Sequence, residues 1–143
     1  MLSTQEQDVH VAIWGEMTSP DLAQFRERLR GQHQRCGGRP LVYVGVVAEN
    51  APLPSTEARK EMAQAMLEVV ELCDYMCVIL PGSGYKAAAK RAVFAGLMMM
   101  TMRGKWHVAA EMSELIEKAG ADLRRVGQLQ CAVKLAASVG MQI

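Results

Sequence analysis

The sequence predicts an α/β fold: a single-domain mixed or mostly parallel sheet of four to five strands covered by about four helices. Three observations carry that expectation. Short β-branched runs alternate along the chain with longer segments of helical spacing, an order that favours a parallel or mixed sheet between helices. One of those runs, LVYVGVV over residues 41–47, is apolar almost throughout, as suits a strand buried on both faces. The 143 residues, 50% hydrophobic and 22% charged, also suit one soluble globular domain with a sizeable core.

The elements follow in order. VHVAIW, residues 9–14, reads as the first strand, ended by Gly15. MLSTQEQ before it is too short and polar to supply much of another. Ser19-Pro20-Asp21 reads as a helix start: a serine cap, proline at the first helical position and an acid in the first turn. Leu22, Phe25 and Leu29 form that helix's apolar stripe, and CGGRP stops it.

After LVYVGVV comes the loop AENAPLP, then a second helix from Ser55 or Thr56. Ala58, Met62, Ala65, Met66, Val69, Leu72 and Cys73 recur along it at helical spacing. YMCVIL, residues 75–80, is the third strand, PGSG turns into the third helix, and WHVAA is a short fourth strand. A last helical region runs from Ser113, broken at Gly120, to about Val139. Residues 1–118 thus read as the domain. Residues 119–143 read as a helical extension packed on it or lying at a dimer interface.

Composition excludes several classes of function. Sixteen basic residues against 15 acidic ones leave a net charge of +1, which gives no general attraction to nucleic acid or anionic membrane. MLSTQEQDVH lacks the basic and apolar regions of a signal peptide, and no apolar run approaches a membrane span. A cytoplasmic protein is expected. Cys73 and Cys77 straddle the end of a helix and the start of a strand in this reading. With three scattered histidines and no C-x-x-C or H-x-x-x-H pair, no metal site and no cofactor are expected. The cysteines read as free thiols.

LPGSGYKAAAKRAV, residues 80–93, is the most suggestive stretch. Backbone N–H groups of Gly82, Ser83 and Gly84 at a helix start, with Lys86 and Lys90 following, make a candidate anion site. The stretch fails G-x-x-x-x-G-K-[ST], because tyrosine follows Gly84 and alanine follows Lys86, and it offers only alanine where G-x-G-x-x-G needs its third glycine. A glycine turn from strand to helix fits it equally well. Ser55 and Thr56 are candidate phosphoacceptors, or simply a helix cap. Phe94, Met98, Met99 and Met102 lie in a stretch apolar on nearly every side, a candidate core helix, apolar pocket or dimer face. Glu16 and Glu49 both follow strands and could share one end of the sheet. No nucleophile or histidine stands at a spacing that would make either catalytic, and no catalytic residue is assigned.

In order and pattern, these pieces resemble the STAS fold, and within it the SpoIIAA-like proteins. Trp14-Gly15-Glu16-Met17 before the first helix looks like the G-E-L turn of that family. LVYVGVV with its loop and the helix from Ser55, then YMCVILPG, AAAKRAVFAGL and WHVAA, complete a likeness covering roughly residues 8–118. The resemblance implies a small, usually non-enzymatic domain: a regulatory or protein-interaction module in partner switching, or a binder of small or lipophilic ligands. It implies a regulatory protein partner, and Ser55 as the position matching the family's phosphorylated serine. The context Pro54-Ser55-Thr56-Glu57 departs from the family's D-S-[ST]-G, and Glu57 would repel an added phosphate. The apolar third helix and amphipathic tail suggest a homodimer.

Overall fold

The computed structural model describes residues 1–101 and 106–143, residues 100 and 101 by their backbone alone. The fold is α/β, with five strands in one mostly parallel sheet and five helices among the described residues. The strands are β1 (Leu2–Glu6), β2 (Val9–Trp14), β3 (Leu41–Val47), β4 (Cys73–Ile79) and β5 (Trp106–Ala109). The helices are α1 (Ser19–Arg35), α2 (Thr56–Val69), α3 (Tyr85–Thr101), α4 (Met112–Ala119) and α5 (Leu123–Ser138).

Strand order in space is the order in sequence, β1-β2-β3-β4-β5. β1 and β2 form an antiparallel hairpin, and every later pairing is parallel. Each β-α-β crossover therefore steps in the same direction. A right-handed crossover with a constant direction puts its helix on a constant face. Accordingly α1, α2 and α3 share one core with Trp14, Tyr43 and Met76, while α4 and α5 share a second with Val11, Val44 and Cys77. Among the described residues, no reversal of strand order opens the crevice in which doubly wound sheets bind nucleotides.

β1 corrects the expectation of a single strand before the first helix. L-S-T-Q-E is polar because it is an edge strand: among the described residues only β2 pairs with it, and most of its side chains face solvent. Backbone hydrogen bonding places it, not burial. The two-residue turn Gln7-Asp8 has Gln7 at φ 51°, and the Gln7 carbonyl accepts from Gln32 Nε2 at 2.9 Å.

Two local expectations also change. The cap of α1 is Thr18, whose Oγ1 accepts from the Asp21 N–H, so Pro20 stands one place further into the helix. Cys73 and Cys77 both lie in β4, not across a helix end. The ladder shifts between Leu41 and Val42, which face Cys73 and Tyr75, so Asp74 is an extra residue. That bulge reverses the alternation and sends Cys73 into the α1–α3 core and Cys77 into the other. Burial pushes the Cys73 thiol up to about 12, and Cys77 higher.

The second face of the sheet is closed by α4 and α5, joined through the break at Gly120. Leu129, Ala132, Leu135 and Ala136 of α5 are buried against Val9, Val11 and Ile13. Gln128 Nε2 donates to Asp8 Oδ2 at 3.0 Å, which ties this helix to the β1–β2 turn.

Candidate functional site

The carboxyl ends of β2 and β3 bring two connections together: Gly15, Glu16 and Met17 after β2, and the loop 48–54 after β3. Between them lies a cleft of about 170 Å³, bounded by Glu16, Pro52, Leu53, Pro54, Ser55 and Ala58. Met17, Val47 and Phe94 form its inner wall, and the same three residues also line an apolar cavity of about 30 Å³ behind it. That cavity sits among α2, α3 and the sheet. Met62, Met66 and Met98 line it with Trp14, Tyr43 and Gly45. Methionine's unbranched side chain lets such a lining rearrange at modest cost.

Behind the cavity is a buried aromatic group. The Trp14 indole N–H donates to the Tyr43 hydroxyl at 2.8 Å, and Phe25 meets Trp14 edge-on with ring centroids 5.2 Å apart. Tyr43 is 2% exposed, and burial holds its hydroxyl protonated far above the ordinary range. Gly45, two residues on and on the same face of β3, leaves the space that the Tyr43 ring fills.

The loop 48–54 is held from α3. Lys90 Nζ donates to the Glu49 carbonyl at 2.7 Å and also to the Ala51 carbonyl. Ala51 is buried, while Leu53, between two prolines, is 46% exposed. Ser55 is the N-cap of α2, and its Oγ accepts from the Ala58 N–H at 3.1 Å. Thr56 is the first residue of that helix, and both hydroxyl side chains are exposed.

At the turn 81–84, Gly82 and Gly84 take φ of 108° and 88°, and Ser83 between them is exposed. Lys86 is exposed on the first turn of α3. Lys90 is committed to the loop carbonyls, and Arg91 donates to the carbonyls of Leu80 and Gly82 at 2.9 and 3.1 Å. The Glu49 carboxylate lies over Gly82, close enough that a Cβ there would be 2.9 Å from its Oε1. The half-buried cations of this segment thus serve the turn and the neighbouring loop, beside a carboxylate. Glu16 and Glu49 do lie at the same end of the sheet, Glu16 on the cleft and Glu49 against Gly82.

On α3, Phe94 and Met98 are buried toward the sheet, and Met99 is 73% exposed on the outer side. Met102 lies outside the described residues. The site thus joins Phe94, Met98 and Ser55 in one region and leaves Met99 apart. Sequence reasoning missed Tyr43 and Gly45. The available signal was the glycine within a β-branched strand, which marks a close approach. Comparison with family models, with curated proteins and with solved structures finds no match.

Proposed function

We propose that this chain is a non-catalytic regulatory or protein-interaction module of STAS type, acting in partner switching through the loop 49–54 and the start of α2. The observation that supports the reading is the fixed presentation of that loop. Pro52 and Pro54 restrict it, and the Lys90 ammonium holds two of its carbonyls. Leu53 and Ser55 stand exposed at the rim of the cleft. A surface already held in place loses little conformational freedom on binding, which favours affinity for a partner.

Native mass spectrometry of the protein purified gently from its own cells tests this. A bound partner chain, or phosphate mapped to Ser55, is expected. Leu53→Asp should reduce capture of that partner at least tenfold without lowering thermal stability. A partner still retained in full by that variant would place the contact elsewhere and sink the proposal.

A specific observation favours a second reading, a binder of a small lipophilic ligand. The cleft with Glu16 and Ser55 at its mouth shares three residues with the apolar cavity behind it, as an amphiphile's polar and apolar ends would require. The cavity holds little more than a methyl group as it stands, so binding needs Met62, Met66 or Met98 to move. A retained small-molecule mass with no partner chain would support this reading over the first.

A further inference from the structure

At the β1 edge of the sheet, away from the cleft, a groove of about 530 Å³ runs between β1 and α1. Ser3, Gln5, Glu27, Arg28 and Arg35 line it together with His10. His10 is 1% exposed, and its hydrogen bonding decides which ring nitrogen donates. The Gln32 amide nitrogen donates to the carbonyls of Gln7 and Val9 at 2.9 and 3.1 Å, so the amide oxygen faces His10 Nδ1 at 2.8 Å. An amide oxygen only accepts. Nδ1 therefore carries the proton, and Nε2 presents a lone pair.

Nε2 is buried and has no hydrogen-bond partner among the described residues. A buried acceptor left unpaired opposes folding, so such an atom calls for an explanation. The ring does not escape by taking up a proton: burial lowers its pKa to about 4, and it stays neutral near neutral pH. One helical turn before Gln32, the Arg28 guanidinium donates to Ser3 Oγ across the groove. Arg35 is exposed further along α1, and Glu27 is an exposed acceptor on the same wall. The groove lining therefore includes the ring that carries this donor-seeking atom, with two cations and polar groups along its sides. A ligand reaches the buried nitrogen only as that lining yields.

We propose that this groove binds a small hydroxylated anion, whose hydroxyl donates to His10 Nε2 while its anionic group is held by Arg28 and Arg35. A guanidinium fork matches carboxylate and phosphate oxygens alike, so the shared chemistry is a hydroxyl a few atoms from an oxyanion. The site is independent of the cleft at the other end of α1.

The test is the nitrogen resonance of His10 Nε2 in protein labelled at histidine, titrated with glycerol phosphate, malate, glycerol and inorganic phosphate. Glycerol phosphate or malate should move the resonance saturably toward its hydrogen-bonded position, and which of them does so identifies the oxyanion. Glycerol and inorganic phosphate alone should bind at least tenfold more weakly. Arg28→Gln and Arg35→Gln change exposed side chains and should fold normally. Each should weaken the titration by about tenfold or more, the worth of a charged hydrogen bond. A resonance already hydrogen-bonded in the free protein and unmoved by every probe would mean a structural water and overturn the proposal. Titrations unaffected by both arginine variants would overturn it equally.

Discussion

A Cβ built on Gly45 would lie 2.5 Å from the hydroxyl oxygen of Tyr43, closer than two such atoms can sit. The hydroxyl cannot swing aside freely, because the Trp14 N–H holds it at 2.8 Å and Phe25 packs against both rings. Gly45→Ala is therefore an overpacking substitution, expected to cost about 1–3 kcal/mol in urea unfolding. Tyr43→Phe should cost about 1–3 kcal/mol by leaving the indole N–H unpaired. The two costs should not add, since removing the hydroxyl relieves the worst clash. Additive costs would show that the hydroxyl is not what confines Gly45.

Lys90→Met should loosen the loop 48–54 without unfolding the sheet. It removes the ammonium from the Glu49 and Ala51 carbonyls, one of which belongs to a buried residue. Faster amide exchange is expected, most strongly at residues 48–55 and beyond the general rise that a loss of about 1–3 kcal/mol in global stability brings to the core. Unchanged exchange there would mean that the prolines alone fix the loop.

Gly82→Ala meets two obstacles, a φ of 108° and the Glu49 carboxylate. Backbone strain of this kind costs about 1–3 kcal/mol. Shortening Glu49 to alanine should recover only the steric part. A thermal-melt comparison of the single and double variants separates the two contributions, and full recovery in the double variant would show that the backbone is not strained.

Stability should fall in mild acid because of His10. Its folded pKa is lowered to about 4 from an ordinary 6.5, chiefly by burial. Between these values the unfolded chain binds more protons than the folded one, so stability is full above pH 6.5. It declines as the pH falls toward 4, by up to about 3 kcal/mol. Urea unfolding at several pH values, repeated with His10→Gln, checks this. The variant should be the less pH-dependent of the two over that window.

The four thiols should divide cleanly under alkylation. Cys36 and Cys131 are partly exposed, whereas Cys73 and Cys77 are buried, with their thiolates disfavoured by desolvation. Peptide mapping should find Cys36 and Cys131 modified in the native protein, and the β4 pair only after unfolding.

Much of the fold was legible in the sequence because its core elements satisfy strong patterns. LVYVGVV had to be buried on both faces, and the Ser55 helix carried its cap and stripe together. β1 was not legible, since an edge strand is specified by pairing with β2 and needs few apolar residues of its own. Nor was the fate of Lys90: the sequence places a cation after a glycine turn but cannot tell an anion from a distant carbonyl as its partner. The His10–Gln32 bond joins residues 22 apart across a strand and a helix, and no local pattern announces it.

The in-sequence strand order has a consequence for how the chain is made. β2, β3 and β4 can add one after another during synthesis, each with its helix, from contacts close in sequence. The opposite side of the same strands, with Val9, Val11, Val42 and Val44, has to wait for α4 and above all for α5, residues 123–138, to complete its cover. A ribosome-bound chain halted before that helix would thus present a wide, sticky, β-branched surface. Chaperone capture of this protein during translation should concentrate on that interval and end when α5 docks.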